Sequence, residues 1–388
     1  MSDFEVAVVG LGAMGSAALY QLARQGIAAV GIDRFDPPHA QGSSHGDTRI
    51  TRRAIGEGAA YVPLVMRSHE IWRELERQTG ETLLTECGTL IMAPADKPNS
   101  HHGKPNFLGR TIKTAEMYGI EHELLNAAEI QARFPHYGKL NGDELGYFEP
   151  GGGYVCPERC IGAQLRRARE LGATTLTDTE VVSLRQDAGG VRIETASGPV
   201  TAERAVVTAG PWTAPLLGAP FDQLLTVNRQ VLHWFELDDP DRIGADAPVA
   251  IWMHGPGDTD YFYSFPPLAG ENSLKAATEQ YHTATTADTV DRQVSAAESA
   301  AMYAAHIEGR IAGVSPRVVK TAACVYTVSP DLGFIIDRHR DFSDVLVVSA
   351  CSGHGFKHSA GIGEVIADTM KRGTSDIDLA PFALGRFA

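Results

Sequence analysis

A mixed α/β fold in two domains is what this 388-residue sequence predicts, and three observations carry that reading. An apolar run, Val6 to Val9, passes straight into Gly10-x-Gly12-x-x-Gly15 and then into a helical pattern. A later apolar strand, Val345 to Ala350, again meets a glycine-rich turn before a helix carrying Ile362, Val365 and Ile366. Between these units, residues 221–320 read mainly as antiparallel strands with one helix, around Val290 to Ala305. Strands linked by crossover helices build a parallel sheet, whereas runs of strands without them build an antiparallel one. The length suits two or three domains, and the 43% hydrophobic content is ample for their cores.

The opening unit is the most specific. Its helix carries Ala18, Leu19, Leu22 and Ala23, Gly26 should end it, and Ile27 to Ile32 reads as a second strand tipped by Asp33. The first glycine permits a tight turn, the second lets backbone approach a pyrophosphate, and the third lets helix and strand pack closely. The helix N-terminus offers free N–H groups and partial positive charge to phosphates. Asp33, 21 residues after Gly12, is placed to accept hydrogen bonds from ribose hydroxyls. Together these make a Rossmann-type site for an adenine dinucleotide; a purely structural turn is the alternative.

After Asp33 comes a loop rich in proline and glycine, Phe35 to Gly46, and then Asp47-Thr-Arg-Ile-Thr-Arg-Arg53. Arg49, Arg52 and Arg53 are either a solvated face or ligand contacts. Tyr61 to Gly80 is a long amphipathic helix with Leu64, Ile71, Trp72 and Leu75 on one side, followed by a strand, Gly88 to Ala93. Residues 94–110, polar and rich in Pro, Gly, Asn and His, read as an exposed loop poorly suited to chemistry. Two short helices follow, the second starting at Asn126 with Glu129 completing a capping box. Phe148 to Tyr154 is a turn-rich return and Pro157 to Leu171 a helix. Strands then recur at Val181–Leu184, Val191–Thr195 and Ala205–Gly210, the last returning to the parallel sheet with Gly210 near the cofactor. Trp234, Trp252, Tyr261, Tyr263 and Phe265 could line a pocket or serve as ordinary core.

A net charge of −14 argues against nucleic acid and against anionic membrane surfaces. No apolar run is long enough to span a bilayer, and the first strand begins too soon for a signal peptide, so a cytoplasmic protein is expected. Five cysteines, Cys87, Cys156, Cys160, Cys324 and Cys351, are expected to be reduced. Cys156 and Cys160 lack a second pair at zinc spacing, and His354 and His358 lack a partner, so no metal is expected.

The second glycine-rich turn, Ser352-Gly-His-Gly-Phe-Lys357, suits a flavin better than a nicotinamide. Reduced flavin carries negative charge at its N1/O2 edge, which a helix N-terminus stabilises. Taken together, the motifs resemble the monomeric sarcosine oxidase and N-methyltryptophan oxidase family of flavoprotein amine oxidases. The matching pieces are Val8 to Gly15, Phe35-Asp-Pro-Pro-His39, His45-Gly-Asp-Thr-Arg-Ile50 with Arg52, and Gly56-Glu-Gly58. They continue with Tyr263-Ser-Phe-Pro266, Cys324-Val-Tyr-Thr327, Phe334-Ile-Ile-Asp337 and Ser352 to Lys357, in family order.

The resemblance implies FAD joined through its 8α-methyl to Cys324, a choice the residues alone do not make among five cysteines. It places the substrate carboxylate between Arg52 and Lys357, and Lys275 where O₂ is activated. Arg49 falls close to the flavin ring, with Tyr263, Tyr326 and His354 along the pocket or flavin. Cofactor contacts are implied at Gly10, Gly12, Ala13, Met14 and Gly15, then at Asp33 and Arg34, and at Ser43, Ser44, His45 and Thr48 with Arg49. Further contacts fall at Val182 and Gly210, and at Gly353, Gly355, Phe356 and Lys357 beside Tyr326. The chain departs from the family's sarcosine oxidases in having Glu279 where they have a histidine; Glu279 or His282 could be the counterpart. Ile55 stands for a tyrosine and Arg53 for a histidine, which puts sarcosine itself in doubt.

The implied reaction moves a hydride from the carbon next to nitrogen of an N-methyl or cyclic amino acid to FAD. The imine hydrolyses, and O₂ becomes H₂O₂. A primary amino acid is an alternative substrate, and an NAD(P)-dependent dehydrogenase or a non-catalytic dinucleotide-binding protein are rival readings. The cofactor domain is expected at 1–87, 145–220 and 320–388, the substrate domain at 88–144 and 221–319, and the protein is expected to be a monomer.

Overall fold

Residues 2–239 and 241–387 are described by the structure, a computed structural model. Phe4–Val9, buried over its last four residues, pairs in parallel with Ala29–Ile32 on one side and Gly198–Val207 on the other. Thr174–Leu176 extends this sheet beyond Ala29–Ile32, and Val345–Ser349 lies parallel to Gly198–Val207. The long strand Gly198–Val207 forks along one edge: residues 198–202 take the hairpin strand Gly190–Thr195, and residues 205–207 take Val345–Val347. Side chains alternate as a pleat requires. Val6 and Val8 face a core shared with the helices, while Ala7 and Val9 face a second core containing Leu184, Phe221 and Leu225.

The helices Ala13–Arg24, Val62–Thr79 and Ser359–Arg372 meet over the first of these cores. Gly363 lets the last of them touch the first: a Cβ there would lie 2.5 Å from the Ala17 carbonyl carbon. The expected helix boundaries hold where caps are strong. Gly80 closes Val62–Thr79 with φ of 73°, and Asn126 with Glu129 forms the capping box that opens Ala127–Arg133. Around 290–305 the helix is shorter than expected, Ala296–Met302, because Ser295 and Glu298 cap it there.

The second sheet runs, in order, Ala284–Thr285, Thr226–Leu237, Ser273–Ala277, Tyr261–Phe265, Val249–Met253, Thr89–Pro94, Glu144–Glu149 and Glu123–Asn126. Val314–Val328 also pairs with Thr226–Leu237. All these pairs are antiparallel except Val249–Met253 with Thr89–Pro94. Residues 145–149 and 320–328 therefore pair in the second sheet, although the sequence boundaries put them in the cofactor domain. A ladder is set by its partner strand, which local pattern does not show. A small sheet of Arg49–Thr51, Gly153–Val155 and Leu84–Thr85 lies apart from both larger sheets.

Residues 94–110 overturn the expectation of an exposed loop. They form a hairpin, Ser100–His101 with Lys104–Pro105, and start the helix Phe107–Tyr118. His102 and Gly103, at φ of 48° and 65°, make its two-residue turn, as such hairpins favour. His101 and His102 are both buried. Among the described residues, no helix is long and apolar enough to cross a membrane.

Gly363→Val should drive a branched side chain into Ala17 and destabilise the protein by about 1–3 kcal/mol, read as a lower melting temperature. An unchanged melting temperature would show that the two helices need no such close approach.

Candidate active site

The glycine turn is built as the sequence suggests. Gly10 has φ of 89°, and a Cβ on Gly15 would lie 1.8 Å from the Gly10 carbonyl oxygen, so only glycine lets helix and strand meet here. The helix that follows has no side-chain cap, which leaves its first N–H groups open to a ligand. Asp33 at the next strand tip accepts the Leu11 N–H at 2.6 Å and the Phe35 N–H at 2.9 Å. It thus ties the turn to the second strand while its carboxylate lines the cleft.

That cleft, about 180 Å³, is also lined by Gly10, Gly12, Ala13, Met14, Arg34, Ser43, Ser44 and Gly210. It continues past Tyr326 to Gly353, Gly355 and Phe356. A smaller cavity of about 50 Å³ adjoins it, and Arg49, Tyr326, Gly353 and Phe356 line both. Thr48, Arg52, Tyr263, Lys275, Glu279, His354 and Lys357 line the small cavity, so predicted residues from five separate stretches, Tyr326 included, converge there. Tyr263 and Phe265 supply its aromatic wall, whereas Trp234 and Trp252 pack in the core.

Four of the expected contacts are not among the residues lining either cavity. The Val182 side chain is 65% exposed because it turns outward on its strand, and Val181 lines the cleft in its place. Gly15 acts through helix packing. His45 is buried behind the lining, with Nε2 lacking a partner; burial, then Arg49, holds its imidazole down at about 3. Cys324 is buried in a cluster with Tyr326 and Cys351, and the cleft is lined by Cys351. Burial pushes the Cys324 thiol up, with Arg49 the foremost opposing charge.

Arg52 and Lys357 do come together, around a residue that the sequence reading quoted without a role. Glu57 accepts from Arg52 Nη2 at 2.8 Å, and Lys357 Nζ lies 4.0 Å from its other oxygen. Burial pushes the Glu57 carboxyl up, but Arg52 and Lys357 hold it well below the usual carboxylate range. Burial presses the Lys357 ammonium down to about 7, with Glu57 opposing. Arg52 keeps Nε without a partner, and its guanidinium stands 5.4 Å from the Phe107 ring centre. Free donors on a buried, permanently charged fork suit a carboxylate ligand.

His102 is the second residue that was missed. Its Nδ1 lies 2.9 Å from Glu57 Oε1 and its Nε2 3.0 Å from Glu279 Oε2. Burial lowers its proton affinity, but Glu279 and Glu57 together raise it above the ordinary value. The one sequence signal was His102-Gly103 at a hairpin tip, where asparagine and glycine are usual. Glu279 also accepts the hydroxyls of Tyr261, Tyr281 and Tyr326 at 2.8, 3.0 and 3.1 Å. His282 is exposed, so Glu279 is the pocket residue. Atoms of His101, His102 and Glu279 lie within 4.8 Å of one another, a set that could hold a metal. Both ring nitrogens of His102 and both Glu279 oxygens already hydrogen-bond within the protein.

Lys275 lines the same cavity. Its Nζ donates to the Gly46 and Thr48 carbonyls, each at 2.7 Å, and to Thr48 Oγ1 at 3.1 Å, with the Phe265 ring 4.4 Å away. Burial, then Arg49, presses its proton affinity well down. With its donors occupied, it can offer the cavity a charge and not a hydrogen bond. Arg49 donates to the Ser43 and Thr48 carbonyls at 2.8 Å, which fixes the loop between the two cavities.

Residues 5–369 match the family described as FAD dependent oxidoreductase. The chain is 36% identical to a monomeric sarcosine oxidase of Bacillus sp. (strain B-0618), across 99% of this chain and 96% of that one. It is 34% identical to an N-methyl-L-tryptophan oxidase of Escherichia coli (strain K12), across 99% of each. Among solved structures it resembles NikD, an unusual amino acid oxidase essential for nikkomycin biosynthesis, with a TM-score of 0.84 at 22% identity over 99% of this chain and 98% of that one. That last likeness shows the shared fold.

Asp33→Ala should leave the buried Leu11 N–H without an acceptor and cost about 1–3 kcal/mol in thermal unfolding. Asp33→Asn, whose amide oxygen can still accept, should cost less; equal losses would locate the effect elsewhere.

Proposed function

Since the chain belongs to the FAD-dependent oxidoreductases, within the monomeric sarcosine oxidase and N-methyltryptophan oxidase family, we propose that it oxidises secondary amino acids, N-methylated or cyclic, with O₂ as acceptor. The observation that carries this reading is the pairing of the buried Arg52 and Lys357 in a cavity that shares its wall with the dinucleotide cleft. The residues fit FAD. The uncapped helix after Gly12 and the close turn at Gly15 suit the pyrophosphate, and Asp33 and Arg34 line the adenosine end. Tyr326, Gly353 and Phe356, where the cavities meet, suit the ring.

When bound, FAD supplies a two-electron acceptor for hydride from the carbon next to nitrogen and passes those electrons to O₂, giving H₂O₂. The chain's own residues bind and orient. Arg52 and Lys357 release Glu57 and take the substrate carboxylate, and Tyr263 and Phe265 enclose the side chain. A buried site of this kind gains its rate from orientation and fixed charge, without a nucleophile. Lys275, held by two carbonyls, presents the positive charge expected to assist O₂. Glu279, which lines the cavity in place of the family's histidine, favours a substrate other than sarcosine.

Attachment of the cofactor to Cys324 is part of the proposal. Burial holds the Cys324 thiol up on balance, and Arg49, Lys275 and Arg292 are the charges that oppose it and favour the reactive thiolate. The reading also makes the enzyme a cytoplasmic monomer, in keeping with five free cysteines.

A peroxide-coupled screen of N-methyl, cyclic and primary amino acids should show turnover of the first two groups. Arg52→Ala should raise KM for those substrates on the order of 100-fold. In the unaltered enzyme KM should rise as pH climbs through about 7 and Lys357 loses its charge. No peroxide from any amino acid would end the proposal, and an unchanged KM would end the role of Arg52.

Acid precipitation should give a yellow pellet, and the pellet should be colourless for Cys324→Ser. A yellow pellet from that variant would move the attachment to another residue.

A further inference from the structure

His102 stands in a backbone conformation that residues other than glycine adopt uncommonly. Its φ of 48° lies in the left-handed region, in a two-residue turn where asparagine or glycine would sit without strain. Strain held at a buried site points to a function for the side chain. That side chain is nearly out of solvent, at 5% exposure, and both of its nitrogens reach carboxylates brought from distant parts of the chain.

We propose that His102 is a positioning residue for carboxylate binding: as an imidazolium between Glu57 and Glu279, it holds Glu57 in place when Arg52 and Lys357 turn to an incoming carboxylate. The inference rests on the reading of Arg52 and Lys357 as the carboxylate clamp. Before binding, Glu57 is met by Arg52 at 2.8 Å and by Lys357 at 4.0 Å. Once those cations are shared with a ligand, Glu57 would be a poorly compensated buried carboxylate, and only His102 Nδ1, at 2.9 Å, remains directly bonded to it.

Charge balance supports the same state. Arg52 and Lys357 are two positive groups, and Glu57 and Glu279 two negative ones. With neutral His102 the cluster has no net charge, so a bound carboxylate would leave it negative. With His102 protonated, the cluster is positive by one and becomes neutral on binding. The proton comes from solvent and stays on the ring, whose two N–H groups donate to the two carboxylates. Of the other titratable neighbours, Lys357 itself titrates at about 7, in the parent and in His102→Asn alike, so the His102 proton is read as the difference between the two. His101 is held well down by burial and by His102, and His354, whose ring centre is 5.2 Å away, is held at about 3 by burial. The hydroxyls of Tyr261, Tyr281 and Tyr326 are committed to Glu279.

The test is titration of the flavin-loaded protein with propionate, a carboxylate without an amine, read by flavin absorbance from about pH 6 to pH 9. His102→Asn is the informative variant, because asparagine suits the left-handed turn better than histidine and keeps the hairpin. It should weaken propionate binding about tenfold or more near pH 7 and remove one proton from the pH dependence. Glu279→Gln, which keeps an amide oxygen for the tyrosines, should move the loss of affinity to lower pH by about one unit. Unchanged affinity in His102→Asn, or a loss by the same factor at every pH, would overturn the inference. Arg52→Ala run alongside separates the two claims. Weaker binding there with none in His102→Asn defeats this inference alone, whereas no loss at Arg52 defeats the clamp on which it rests.

Discussion

A carboxylate taken out of water has to be met by charge and hydrogen bonds, and Glu57 sits where that demand organises the whole site. Arg52 from its own loop, Lys357 from the C-terminal glycine-rich turn and His102 from a hairpin all converge on its two oxygens. The loop carrying Glu57 is in turn anchored by a second buried carboxylate. Glu149 accepts the N–H groups of Arg53 and Ala54 at 2.6 and 3.1 Å, and Arg110 donates to the Gly56 carbonyl at 2.8 Å. Such an arrangement keeps two cations buried and pointed inward before any ligand arrives, so a carboxylate meets them already oriented. Their release from Glu57 is the opposing term, and it makes binding sensitive to whatever else can hold that residue.

The same logic explains why the cavity adjoins the dinucleotide cleft. Arg49 braces the loop from within through the carbonyls of Ser43 and Thr48, and Lys275 stitches the same loop to the antiparallel sheet through those of Gly46 and Thr48. Arg292 holds the preceding residues through the carbonyls of Ala40 and Gln41 at 2.9 and 2.6 Å. Positive charge is thereby concentrated along one side of the shared wall. That placement suits an electron-rich ring and a carboxylate ligand, and it disfavours a metal ion near His101, His102 and Glu279.

Much of the architecture could be read from local pattern. The opening strand, turn and helix, the second glycine-rich unit and the capping box at Asn126 depend on neighbours within a few residues. Most candidate site residues were found through short motifs of this kind, and they lie together in space. The failures have a common cause. Residues 94–110 have a polar composition, and composition cannot show that a two-residue turn will fold His101 and His102 into a cavity. At Val182 the side chain turns outward while that of Val181 faces the cleft, because one step along a strand moves a side chain to the opposite face.

Sequence alone, then, settles the features whose physics is short-range: the dinucleotide turn, the order of strands and helices, and the residue types able to bind an anion. Tertiary structure decides which charges face one another. Glu57 and His102 lie 45 residues apart, and His102 and Glu279 177 apart. A pair this distant is selected by packing and desolvation, not by spacing. For that reason the cations of the site and Glu279 were legible in the chain, while Glu57 and His102, which hold them together, became visible only in the fold.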